Sequence, residues 1–194
     1  MVDKLYARIL KIAEGAALAT ETTHKVHLIT GVHEYLLNRP MQEALAKNLE
    51  LVGAPKFTEK EQEFARSLQR SLNKQEKGFN DKIKPLADKP EEVKGGSTDV
   101  AEVSWIAPTA AFAIATAAQD IPWHSWAATA CHGTPAGRKG ALVAAKVIAA
   151  TGLDVLTKPA LVQEAKAFFL KATDGKPYQS PIPADQKPPL PPAD

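Results

Sequence analysis

The chain of 194 residues carries 24 Lys and Arg against 22 Asp and Glu, a formal net charge of +2, with 44% hydrophobic and 24% charged residues. That is enough chain for one ordinary domain or parts of two, and its interspersed charges supply no basic field for nucleic acid. A single cysteine, Cys131, excludes an internal disulfide framework, and with no signal-like apolar core and no run near the roughly 20 apolar residues of a spanning helix, a cytoplasmic chain with no membrane partner is expected.

From Leu5 to Ala19 the apolar residues Leu5, Ile9, Ile12, Ala13, Ala16 and Ala17 recur at helical spacing, with Lys4, Arg8, Lys11 and Glu14 mostly elsewhere. This helix needs a partner to cover its stripe. The segment His24 to Leu36 reads as a strand by its β-branched content and the alternation of Val26, Leu28 and Thr30. A strand would put His24 on one face and His27 and His33 on the other, so the three cannot share one tetrahedral metal. Asn38 is a good N-cap and Pro40 fits a first turn, which predicts a helix over Arg39 to Val52 ending at Gly53. Thr58 with Glu61 forms a capping box opening a second helix to about Leu72, with Phe64, Leu68 and Leu72 inward. Mixed charge with Pro85 and Pro90 makes residues 73–94 a mobile surface loop.

The densest run of site-type features lies between Gly95 and Lys146. In Gly95-Gly96-Ser97-Thr98-Asp99 the glycines permit positive φ, so backbone amides can approach an anion, with Ser97 and Thr98 adding hydroxyls and Asp99 ordering the turn. The same residues also suit a plain capped loop. His124 sits between Trp123 and Trp126, where a partly desolvated imidazole of restricted orientation suits a metal ligand, and equally a packed core histidine. His132, in a Cys-His-Gly turn, reads as a hydrogen-bonded loop residue. Val103 to Ile106 and Ala110 to Ala118, with Phe112 and Ile114 alternating, read as buried strands of a covered sheet. Gly137 to Leu156 and Lys158 to Lys171 are Ala-rich helices. The last eighteen residues hold seven of the fifteen prolines and predict an extended tail, in which Pro188-Pro189-Leu190-Pro191-Pro192 is a short candidate ligand for a proline-reading domain.

The order Gly96-Ser97-Thr98-Asp99-Val100, Val103-Ser104-Trp105, His124-Ser125-Trp126 and Lys139-Gly140 followed by Ala144-Ala145-Lys146 resembles the C-terminal part of the zinc-dependent amidohydrolases and exopeptidases of metallopeptidase family 20. This group contains aminoacylases, carboxypeptidase G and enzymes that cleave aminobenzoyl-glutamate. Tyr6 to Leu18 and Thr30 to Leu36 are similar to the end of that family's inserted lid and dimerisation domain. Two departures stand out: Arg138 replaces the usual histidine, and Gln119-Asp120-Ile121 replaces a Gly-Thr.

The resemblance implies an α/β fold: the C-terminal part of a zinc-exopeptidase-like three-layer sheet domain, preceded by the last helix and strand of an α/β lid domain. Residues 1–36 would be the lid remnant, 37–175 the catalytic part and 176–194 the Pro-rich tail. It implies a metal ligand at His124, a substrate-lining turn at Gly96, Ser97, Thr98 and Asp99, and a weakly matched role for His33 across a dimer. Zinc or another divalent metal would serve the complete enzyme, with a small amide as substrate. The family's His-x-Asp element is absent here, the sole Glu-Glu pair, Glu91-Glu92, falls in the charged loop, and no His-Glu-x-x-His helix substitutes. The expectation is therefore a portion of a metallo-amidohydrolase that holds no complete metal site alone and joins an N-terminal half, or else a non-catalytic module that associates with itself or a partner.

Overall fold

The computed structural model describes residues 2–87 and 96–187, and those residues fold as helices joined by extended segments. The helices are α1 (Val2–Ala19), α2 (Arg39–Val52), α3 (Glu59–Ser71), α4 (Val100–Ser104), α5 (Trp126–His132), α6 (Pro135–Thr157) and α7 (Pro159–Ala172). Among the described residues there is no sheet, only an isolated parallel bridge between Leu37 and Thr109. The expected α/β class, with its three-layer sheet and lid strand, is thus corrected to all-helical. The Glu91-Glu92 pair, Gly95 and the Pro188–Pro192 run lie outside the described residues, as does part of the 73–94 loop.

The chain divides into two compact units, one made of residues up to Gly31 together with those from Gln179 onward, the other of Val32–Tyr178. In the first, α1 forms where periodicity placed it but buries none of its residues, and Leu5, Ile9 and Ile12 are exposed. After Ala19 the chain reverses through Glu21 at φ 53° and runs on without a ladder partner. Its nearest substitute is the Gln186 amide, which donates to the Ile29 carbonyl at 3.0 Å. An open groove of about 750 Å³ in this unit is lined in part by Tyr6, Leu10, Val26, His27, Ile29 and Gln186.

In the second unit α2 packs on α6 and α7, α5 packs on α6, and α6 packs on α7. Local chemistry fixes the ends. Asn38 accepts the Met41 amide at 3.2 Å as the N-cap of α2, and its buried side chain also donates to the Ala165 carbonyl of α7 at 2.8 Å. Both halves of the Thr58–Glu61 capping box are present at the start of α3. Ser125 and Thr134 cap α5 and α6. Asn48 on α2 reaches Thr151 at 3.2 Å and Asp154 at 3.0 Å on α6, a polar rivet at a buried helix contact. The apolar core gathers Ala65, Leu68, Phe79, Ala118, Ile121, Ala127, Ala128, Cys131 and Ala136, with Phe57 stacked on Phe79 at 4.7 Å.

Side-chain amides take the place of a sheet. Gln42 on α2 donates to the Ala111 carbonyl at 2.7 Å and accepts the Ala111 amide at 3.1 Å. Gln62 on α3 serves Phe79, and Gln69, fully buried on the same helix, donates to the Gln119 carbonyl and accepts the Gly78 amide. Backbone polar groups withdrawn from water must find partners, and here Gln62 and Gln69 supply them at part-buried and buried positions, while Gln42 holds the exposed Ala111 backbone. Phe112 and Ile114 do turn inward while Ala111 and Ala113 face out, so the alternation is real, but extended backbone without a ladder is not a strand. Val103 belongs to α4 and is half exposed, not to a buried strand.

Candidate functional site

Gly96 adopts φ 88°, a conformation open to glycine at little cost, at the start of the segment that leads into α4. Gly96, Ser97, Thr98 and Asp99 are all exposed. The Thr98 hydroxyl accepts the Val100 amide at 3.3 Å, and Asp99 stands at the N-cap of α4 without capping it through its side chain. The turn therefore presents hydroxyl and carboxylate groups to solvent.

Helix α4 is held by three polar links to residues 33–36. The Ser104 hydroxyl accepts the Leu36 amide at 2.9 Å, the Trp105 indole donates to the Glu34 carbonyl at 2.8 Å, and Glu102 accepts both the backbone amide of His33 at 2.5 Å and its ring Nδ1 at 3.0 Å. The Tyr178 hydroxyl adds a further donor to Glu102 at 2.5 Å. Trp105 and Tyr178 flank the His33 ring, at 5.2 and 5.8 Å between centroids. Burial pushes the Glu102 carboxyl up, but the bonds from Tyr178 and His33 outweigh it and hold the group below its ordinary value. Sequence reasoning singled out His33 and the Val-Ser-Trp motif yet missed Glu102, whose only signal was an acid two residues before Ser104.

His124 lies in the loop before α5 and is exposed, as are Trp123 at 67% and Trp126 at 63%. The expected desolvation between two tryptophans does not occur, because both rings turn outward. The His124 ring makes no hydrogen bond, ion pair or ring contact among the described residues. His132 closes α5 as its last helical residue, exposed and 6.2 Å from the Trp123 ring, with no side-chain hydrogen bond among the described residues, which corrects its reading as a hydrogen-bonded loop residue. The turn and His124 are positioned by different elements, the first by α4 on residues 33–36, the second by α5 on α6.

The remaining motif residues have structural work. Arg138 donates to the Gly133 carbonyl at 3.4 Å at the end of α5, where a cation complements the helix dipole. Lys139 pairs with Glu61 at 2.7 Å, and Gly140 lets α6 approach so closely that a Cβ there would lie 2.2 Å from the Ala115 carbonyl. Cys131 is fully buried and burial pushes its thiol up, which leaves it inert as a ligand or nucleophile. Among the described residues no group of three or more His, Cys, Asp or Glu could hold a metal ion. The residues present do not by themselves fit the zinc site that the motif resemblance implies.

No protein-family model and no solved structure gives a significant match. The chain is similar to the B subunit of p-aminobenzoyl-glutamate hydrolase from Escherichia coli (strain K12), 32% identical over 211 residues, a match that takes in 96% of this chain and 44% of that protein. It is a distant homologue of that hydrolase polypeptide and spans less than half its length.

Proposed function

We propose that this chain is the C-terminal portion of a metal-dependent amidohydrolase that is inactive alone and works with a complementary N-terminal portion. The observation carrying this reading is the match itself: nearly the whole chain aligns with under half of a hydrolase polypeptide. His124 supports it, since it is a motif residue left exposed and unengaged while its motif neighbours Ser104, Trp105, Lys139 and Gly140 are committed to packing. In this reading His124 donates one nitrogen to zinc or another divalent metal, and the Gly96–Asp99 turn lines the pocket. The complementary portion brings the remaining donors and the base. The substrate is an amide of an N-acyl amino acid or of an aminobenzoyl-glutamate-like compound, and the compartment is the cytoplasm, in keeping with one buried, unpaired cysteine.

Zinc titration followed by calorimetry tests this. The chain alone is expected to bind no zinc at micromolar concentration, whereas an equimolar mixture with the N-terminal portion of the homologous hydrolase gains zinc binding and amidase activity. His124→Ala in the mixture should weaken zinc binding by about a hundredfold or more, above what loss of an outer-shell contact costs. Full activity of the His124→Ala mixture, or no zinc binding in any mixture, overturns the reading. The second outcome favours the alternative of a non-catalytic association module, for which the unburied apolar stripe of α1 is the specific support.

A further inference from the structure

The carboxylate of Glu102 accepts from three donors, and nothing in the motif pattern assigns it a role. It receives donors from two segments distant in sequence: the His33 backbone and ring on one side, and the Tyr178 hydroxyl on the other. Val32 and Tyr178 are the first and last residues of the larger unit, so one acid ties both segments by which that unit continues into the rest of the chain. The same acid sits in the first turn of α4, a helix of five residues with no side-chain N-cap, whose opening bonds run from Ala101 to Thr98 and from Glu102 to Asp99. So short a helix cannot hold its own position, because nucleation costs more than one turn returns. What fixes it is its attachment to residues 33–36 and 178.

We infer that Glu102 is the positioning residue of the Gly96–Asp99 turn: His33 and Tyr178 hold its carboxylate, and through α4 that carboxylate holds the turn in one place. The role of the turn in lining a pocket rests on the function proposed above; its immobilisation by Glu102 does not. The geometry also specifies a proton. An ionised carboxylate can only accept, and His33 Nδ1 lies 3.0 and 3.1 Å from its two oxygens. The neutral ring therefore carries its hydrogen on Nδ1 and leaves Nε2 bare. With its side chain 29% exposed and clasped between Trp105 and Tyr178, the ring has little freedom to flip.

Amide hydrogen exchange on the whole chain, wild type against Glu102→Gln, tests the proposal. Exchange at residues 97–104 should quicken by about tenfold or more, the scale of losing charge-assisted hydrogen bonds, while α6 keeps its wild-type rates. Tyr178→Phe should give a smaller change in the same residues, and Glu102→Asp should recover part of the protection. Nitrogen NMR should find the neutral His33 proton on Nδ1. Unchanged rates at 97–104, or a rise of equal size in α6, would overturn the proposal, the latter by making Glu102 a general stabiliser. A neutral ring protonated on Nε2 would overturn it as well. In the reconstituted mixture Glu102→Gln should raise KM with kcat held. If exchange responds and KM does not, the positioning stands and the pocket role of the turn fails.

Discussion

Two glycines on one helix show what a single residue decides here. A Cβ at position 140 would meet the Ala115 carbonyl oxygen at 2.2 Å and the Thr116 methyl at 2.8 Å, whereas a Cβ at position 152 meets nothing within 4 Å. Alanine favours a helix interior over glycine by about 1 kcal/mol. Gly152→Ala should therefore stabilise the chain by roughly 0.5–1 kcal/mol. Gly140→Ala should destabilise it by about 1–3 kcal/mol, because backbone contact cannot yield as a flexible side chain can. Urea unfolding of both variants checks this, and equal effects would mean that α6 does not approach residues 115 and 116 as described. The sequence displayed Gly140 as part of a recurring motif but gave no sign that its purpose is close packing, since the partner backbone lies about 25 positions away. His124 failed in the opposite direction: neighbouring tryptophans suggested a dry site, yet which way an aromatic ring turns depends on surfaces that a local reading does not contain.

At the level of elements, the long helices are legible in the sequence while the short α4, expected as part of a strand, the unannounced α5 and the expected strands are not, and the reason is where each finds its hydrogen-bond partners. Asn38 and Thr58 announce helices whose bonds close within four residues, and Ala-rich composition marks α6 and α7, so α2, α3, α6 and α7 begin and end within a few positions of where caps and composition put them. A strand is completed by a distant backbone. The alternation at Val26 to Thr30 and at Phe112 to Ile114 reads as strand, but neither segment joins a ladder: the Ile29 carbonyl meets the Gln186 side chain, and Ala111, just before Phe112, meets that of Gln42. The α3 cap carries a pH signature. The hydrogen bond from Lys139, followed by that from the Thr58 amide, holds the Glu61 carboxyl below its ordinary 4.5. Because the folded value is depressed, this stabilisation is complete above about pH 4.5 and is lost as pH falls through the folded value. Glu102 and Asp154, also held low, act with the same sign. The urea midpoint should hold steady from neutral pH to about pH 5 and drop below it, with a shallower acid slope in Glu61→Gln. Thr58→Ala should cost about 1 kcal/mol at neutral pH. A midpoint indifferent to acid would place these carboxylates in solvent in the folded chain.

Among the described residues, one long helix leaves a broad apolar side bare. On α6 one side packs through Ala136, Gly137, Gly140, Val147 and Thr151, while Leu142, Ile148, Leu153 and Leu156 on the other stand 59% to 84% exposed. By length and composition alone this helix is apolar enough to cross a membrane, with only 17% of its most apolar window buried. The expectation that no run comes near a spanning helix overlooked how far a helix dilutes its few charges, Arg138, Lys139, Lys146 and Asp154, along 23 residues. Contiguous apolar faces of this kind mark interaction surfaces, and under the function proposed above the complementary portion is the expected cover. Light scattering should therefore find the chain alone well above its 20.8 kDa and binding a hydrophobic dye. Leu153→Glu with Leu156→Glu should return it toward monomer, since two exposed carboxylates on that face cost nothing in the folded chain but oppose its burial. Addition of the complementary portion should suppress both dye binding and self-association of the unmutated chain and leave the double variant unbound. A wild-type chain that is monomeric and dye-free, or one that partitions into neutral lipid vesicles in preference to the complementary portion, would show that this face is not an interface between the parts of a hydrolase.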